Sequence, residues 1–276
     1  MNLAHKKIVF LDLDGTIVGA NGGVSEKVWQ ILEEQKSKGY LFVVCTGRTC
    51  AGVAQDIGLR FEENLDLHYA HIYDGGALGI QPHNGRVDFS FPMKKESVIA
   101  LVEHSRTFDI PLELYTTEGV FADQRSVDGI RHSEVLNMPF QAADLLEINA
   151  SKTVIRCHWI AREHNFEQAL AIKLEGIHTA RAGSPALPKM RFASITDSQV
   201  SKGDAVRRWC DLYKVDPQKT SGVGDTLGDL SMLEAVGFPF VMANADEELR
   251  CKFTNLPDIK EDGIGDLFTI LDSKQR

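Results

Sequence analysis

Two carboxylates stand at the end of an apolar run in "IVFLDLDGTIVG", where Asp12, Asp14, Gly15 and Thr16 follow Leu11. In an extended chain residues i and i+2 point to the same side, so Asp12 and Asp14 are expected to converge on one site. Gly15 permits a turn close to a ligand. Downstream, Thr46-Gly47-Arg48 offers a hydroxyl and backbone N–H groups near a helix start, where anions are favoured. Gly224-Asp225 closes a later apolar run, Asp229 follows, and Lys202 begins the helical pattern before it. Four carboxylates cannot cluster unpaired, because like charges raise each other's pKa. A divalent cation resolves the conflict, and hard oxygen ligands with a partly hydrated shell suit Mg²⁺.

Such a site suits phosphoryl transfer. Mg²⁺, Lys202 and backbone N–H groups can neutralise a phosphate dianion. One carboxylate can attack phosphorus and form an aspartyl-phosphate. A second can protonate the leaving alkoxide and then activate water.

The elements that must position these residues are legible in the hydrophobic pattern. "KKIVFL" and "YLFVVCTG" are continuous apolar runs, as in strands buried on both faces of a parallel sheet. Between them "SEKVWQILEEQKSKG" reads as a helix capped by Ser25 and ended by Gly39. "RTCAGVAQDIG" gives a second helix and "LHYAHIYDGG" a third strand. This rhythm predicts a doubly wound, Rossmann-like α/β core with a parallel sheet, whose ligands bind beyond the carboxyl ends of the strands.

Beyond Gly76 the texture changes to α+β. "RVDFSFPM" alternates, "KESVIALVEHSRTF" is helical, and "IPLELYTTEGVFAD" reads as a hairpin pair. "KTVIRCHWIA", the helix candidate "EHNFEQALAIKLEG" and "MRFASI" continue the pattern, with strands expected to be antiparallel and half exposed. From Ser201 the parallel rhythm returns through "SKGDAVRRWCDLY", "KTSGVGD" and "FPFVMAN". Residues 1–82 and 191–276 are thus expected to form the core, and 83–190 an inserted domain. Two domains agree with 276 residues at roughly 150 per domain.

The formal net charge of -9 argues against broad nucleic-acid binding. An anionic small substrate remains compatible with it, since a bound cation inverts the local sign. Five cysteines, an odd number without a CxxC pair, read as reduced thiols. The N-terminal apolar run is too short for a signal peptide, and no stretch approaches roughly 18 apolar residues. A cytoplasmic protein with no membrane partner is expected. The nine histidines are scattered, and His68 and His71, on one predicted strand, show no metal spacing.

The chain resembles phosphatases of the haloacid dehalogenase (HAD) superfamily, in the Cof-like branch with an inserted α/β cap. The family's DxDGT motif matches Asp12 to Thr16, its second-motif hydroxyl Thr46, its lysine Lys202, and its GDxxxD motif Gly224-Asp225 with Asp229. The resemblance implies that Asp12 is the nucleophile and Asp14 the general acid/base. Asp12, the main-chain carbonyl of Asp14, and Asp225 would bind Mg²⁺. Thr46, the N–H of Gly47, and Lys202 would bind phosphate, and Asp229 would hold a metal-bound water or orient Lys202.

The resemblance also implies hydrolysis of small phosphorylated metabolites, sugar phosphates among them. A cap would exclude solvent and choose the leaving group. Arg125, Arg131 and His132 are its candidates for that choice. Asp14 separates the chain from dehalogenases, which lack an acid there, and from P-type ATPases, which carry Thr. The alternatives are a phosphomannomutase-like phosphomutase and a non-catalytic sensor or interaction protein of the same fold. The chain departs from the family at Gly228 and Gly75, where Cof-like proteins usually carry Asn.

Overall fold

The computed structural model describes residues 2–123, 130, 132, 140–162, 166–167, 170–182 and 190–274. They fall into two compact units, Met1–Phe89 with Ser201–Arg276, and Ser90–Val200. Both divisions lie C-terminal to the expected 83 and 190. The reason is strand pairing. The alternating run near Val87 joins the first unit's small sheet, and the run from Met190 pairs within the second.

In the first unit, the chain runs through β1 (Lys7–Leu11), α1 (Glu26–Ser37), β2 (Tyr40–Val44), α2 (Gly52–Glu62), β3 (His71–Tyr73), β4 (Leu78–Ile80) and β5 (Val87–Ser90). The second unit holds α3 (Lys95–Phe108), β6 (Leu112–Thr116), β7 (Gly119–Ala122), β8 (Phe140–Ala142), α4 (Leu145–Ser151), β9 (Val154–Arg162), β10 (Ile177–Ala182) and β11 (Met190–Asp197). The first unit resumes with α5 (Lys202–Tyr213), β12 (Ser221–Gly224), α6 (Leu230–Ala235), β13 (Phe238–Met242), α7 (Glu247–Lys252), β14 (Thr254–Leu256) and α8 (Gly265–Lys274).

The first unit's main sheet has the order β14-β13-β12-β1-β2 and is parallel throughout. β3 extends it through a parallel bridge between Cys45 and Ile72, then continues into the three-stranded sheet β3-β4-β5. Ser25 caps α1 by accepting the Val28 N–H at 3.1 Å, as its sequence position predicts. Trp209 of α5 packs edge-on against Phe10 with ring centroids 5.3 Å apart, and its indole N–H donates to the Ala70 carbonyl. An aromatic anchor of this size contributes about 3–5 kcal/mol by truncation. It fixes the helix that carries Lys202.

The second unit's sheet has the order β10-β11-β9-β6-β7-β8. β6 and β7 form the expected hairpin, but β7 and β8 pair in parallel rather than antiparallel. One face packs Leu112, Leu114, Cys157, Trp159, Ala193 and Ile195 against α3 and α4. The other was expected to be solvated. Instead Glu113, Tyr115, Arg156, His158 and Phe192 on it are all buried. Arg125 and Arg131 lie outside the described residues, as do 163–165 and 168–169 of the helix candidate after Arg162; its residues 171–176 form turns and irregular chain, not helix. His132 is described, and it is buried against Glu113.

Candidate active site

Parallel strands end at one edge, so β1, β2 and β12 deliver Asp12, Thr46 and Asp225 side by side. Leu11 is in register with Val44 on one side and with Val223 on the other. The ladder persists one residue further, with the Asp12 N–H donating to the Val223 carbonyl at 3.0 Å and the Cys45 N–H to that of Leu11 at 2.8 Å. The chain then turns sharply. The N–H groups of Ile17 and Val18 both donate to the Leu13 carbonyl, and Gly15 adopts φ +80°. A Cβ on Gly15 would lie 2.0 Å from Asp225 Oδ2. Both its conformation and this close approach require glycine.

Lys202 sits in the first turn of α5, whose cap Ser201 accepts the Asp204 N–H. Its ammonium donates to Asp12 Oδ1 and to Asp229 Oδ1, each at 2.6 Å. The other oxygen of the fully buried Asp229 accepts the Asp225 N–H (3.1 Å), the Thr226 N–H (3.0 Å) and the Thr226 hydroxyl (3.2 Å). Asp229 therefore orients Lys202 and closes the turn that carries Asp225. One carboxylate oxygen each from Asp12, Asp225 and Asp229 lies within 4.8 Å of the others. Burial, and then the charge of Asp229, push Asp12 up to about 8 and Asp225 up to about 7, against the opposing pull of Lys202. Burial works against the Lys202 charge, but Asp12 and Asp229 outweigh it and raise its pKa.

Asp14 lies beside this trio, close enough that its charge helps raise Asp225. Its side chain is 58 % exposed and accepts two hydrogen bonds from Arg48, at 2.7 Å from Nε and 2.6 Å from the terminal nitrogen. Thr46 is buried, and its hydroxyl accepts the Arg48 N–H at 3.1 Å. Gly47, beside it, is exposed. His68 and His71 meet Glu62 instead, at 2.6 and 3.6 Å.

Two contributors escaped the sequence reading. The Asn244 amide donates to the Gly15 carbonyl at 2.8 Å and to Asp225 Oδ2 at 3.4 Å. The Thr16 hydroxyl donates to Asp225 Oδ1 at 3.4 Å. Asn244 follows the end of β13, so the strand-end rule that found Asp12 and Asp225 would also have found it. At the two departures from the family pattern there is room for a side chain. A Cβ on Gly75 would meet nothing within 4 Å, and one on Gly228 only the Thr226 hydroxyl at 3.4 Å.

Three buried carboxylates sharing one ammonium leave the cluster short of positive charge. Their hard oxygen donors fit a divalent cation. No helix among the described residues is long and apolar enough to cross a membrane.

Known proteins resemble this chain. The chain is 26% identical to a glucosyl-3-phosphoglycerate/mannosyl-3-phosphoglycerate phosphatase of Methanococcoides burtonii, over 87% of this chain and 86% of that one. It is 22% identical to the phosphatase YwpJ of Bacillus subtilis, over 88% and 92%. The crystal structure of a haloacid dehalogenase-like hydrolase from Bacteroides thetaiotaomicron superposes with a TM-score of 0.81 at 18% identity, covering 96% of this chain and 99% of that one. A structure described as a HAD subclass IIB sugar phosphatase gives 0.78 at 19%, covering 97% and 99%. The model of the haloacid dehalogenase-like hydrolases matches residues 9–268, and the chain belongs to that family.

Proposed function

We propose that this hydrolase is a Mg²⁺-dependent phosphatase that cleaves small phosphomonoesters, sugar phosphates among them, with Asp12 as nucleophile. The observation that carries the reading is the convergence of Asp12, Lys202, Asp225 and Asp229 at the carboxyl ends of parallel strands, in a chain of this family. Asp12, Asp225 and the main-chain carbonyl of Asp14 would hold the metal, which neutralises carboxylate and phosphate charge when bound. Asp12 attacks phosphorus as a carboxylate and carries the phosphoryl group as an aspartyl-phosphate. Lys202 spends two of its three N–H donors on Asp12 and Asp229, which leaves one for a phosphate oxygen. The Thr46 hydroxyl and the Gly47 N–H supply further donors at the neighbouring strand end.

Asp14 protonates the leaving oxygen and then takes a proton from water. Its exposure suits that role, because both the leaving oxygen and the attacking water must reach it. Arg48 holds it in the orientation described. Residues Ser90–Val200 act as the cap that selects the leaving group. The relative from M. burtonii, named for glycosylated phosphoglycerates, supports a sugar-containing substrate. Five unpaired cysteines fit a reducing, cytoplasmic setting.

Phosphate release from a panel of small phosphomonoesters, with Mg²⁺ and with chelator, tests this reading beside Asp12→Asn. Metal-dependent release that the variant abolishes is the expected result. Retention of more than about a tenth of the wild-type rate, a loss of only ~1.4 kcal/mol, rejects Asp12 as nucleophile. Full activity in excess chelator rejects the metal.

A further inference from the structure

The second unit carries a buried cluster that the proposed phosphatase chemistry does not use. Glu113 of β6 and His158 of β9 are direct cross-strand partners on the sheet face opposite α3 and α4. Glu113 is 1% exposed and accepts the Tyr115 hydroxyl at 2.8 Å. His132 Nδ1 lies 3.0 and 3.1 Å from its two oxygens. His158, 8% exposed, differs from these. Both of its ring nitrogens are buried without a hydrogen-bond partner, and Nδ1 stands 3.7 Å from Glu113 Oε2. Leaving a buried polar atom unsatisfied costs about 1–3 kcal/mol, so native structures rarely tolerate it without a reason.

A metal ion would supply that reason. One ligand atom each from Glu113, His132 and His158 lies within 4.8 Å of the others. Tetrahedral zinc, with bonds of about 2.0–2.1 Å to nitrogen and oxygen, sets its donors roughly 3.4 Å apart. The spacings from Glu113 Oε2 of 3.1 Å to His132 Nδ1 and 3.7 Å to His158 Nδ1 straddle that value. Two imidazoles and a carboxylate are a zinc-type donor set, with a fourth position left for water. They suit magnesium poorly, since it prefers oxygen ligands in an octahedron. The Tyr115 hydroxyl orients the carboxylate, as outer partners of metal ligands do. The Phe192 ring packs on both imidazoles, with centroids 4.9 and 5.3 Å away. Arg156, stacked 4.2 Å over the Tyr115 ring, opposes a cation and limits its affinity.

We propose that Glu113, His132 and His158 form a binding site for a zinc-like divalent cation, which ties His132 to the β6–β9 sheet. The site lies in a different unit from the oxygen-rich trio and uses different donors, so it stands or falls independently of the phosphatase reading.

The test titrates the metal-stripped full chain with Zn²⁺ against a chromophoric chelator, in excess Mg²⁺ to occupy the oxygen-rich trio. One zinc equivalent per chain is expected. Glu113→Gln and His158→Asn should each lose it, Asp225→Asn should keep it, and Tyr115→Phe should weaken it by about 10–100-fold. Co²⁺ should give the visible absorption of a tetrahedral site in the wild type and not in His158→Asn. Circular dichroism in chelator verifies that each variant folds, and either ligand variant alone suffices if the other does not. No uptake in excess Mg²⁺, uptake unchanged in the folded ligand variants, or uptake lost in Asp225→Asn would overturn the proposal.

Discussion

Both units bury carboxylates, and they treat them in opposite ways. In the first, Asp12, Asp225 and Asp229 share the single ammonium of Lys202, and Asp12 and Asp225 are pushed up to about 8 and about 7, by burial first and Asp229 second. In the second, Glu113 is as deeply buried, yet it is drawn down to about 2. Burial raises it, but the hydrogen bond from His132 and the nearby His158 outweigh that. The number and kind of counter-groups make the difference. A cluster left short of positive charge is a conflict that the fold tolerates only where chemistry uses it, because a bound cation would restore the balance.

The comparison breaks most visibly at Lys202. Lys202→Met should cut phosphate release by orders of magnitude. It should also lower stability in chelator by about 3 kcal/mol, the low end for a broken buried ion pair, because Asp12 can take up a proton instead. Mg²⁺ should narrow the stability gap in denaturant titrations. An equal gap with and without Mg²⁺ would mean that the cation does not neutralise these carboxylates.

A smaller effect separates backbone from collision. Gly15 and Gly75 both adopt positive φ, +80° and +68°, but only a Cβ on Gly15 would strike Asp225. Gly15→Ala and Gly75→Ala should each lose about 1 kcal/mol to the left-handed backbone. Only Gly15→Ala should also lose metal-dependent turnover, by at least tenfold. If Gly75→Ala loses turnover equally, the contact between Gly15 and Asp225 is not what holds the metal ligands in place.

These contrasts also explain what the sequence disclosed. Asp12, Thr46 and Asp225 were legible because continuous apolar runs mark parallel strands, and parallel strands end at one edge. Lys202 and Asp229 were legible from motif order. The pairing of Asp14 with Arg48 was not, since a salt bridge between two separate strand ends has no spacing to show it. The edge strand β14, three residues with two exposed, is too short and polar to show a period. The buried face of the second sheet was read as solvated because Glu113, Arg156 and His158 are polar types. Apart from Tyr115, the partners of Glu113 come from separate segments, so no spacing announces them.

The smallest effect lies at Gly228, where the first unit departs from its family. The residue has ordinary backbone geometry, and its Cβ position meets only the Thr226 hydroxyl at 3.4 Å. Gly228→Asn should therefore change stability by no more than about 0.5 kcal/mol. An amide there, one residue before Asp229, can offer a single hydrogen bond to a bound phosphomonoester. A net 0.5–1.5 kcal/mol corresponds to a KM lower by roughly 2- to 12-fold at unchanged kcat. The same substitution should not touch zinc uptake by the second unit. A KM that stays constant while stability holds would mean that backbone N–H groups and Lys202 already satisfy the phosphate, and that the missing amide is a neutral departure rather than a lost contact.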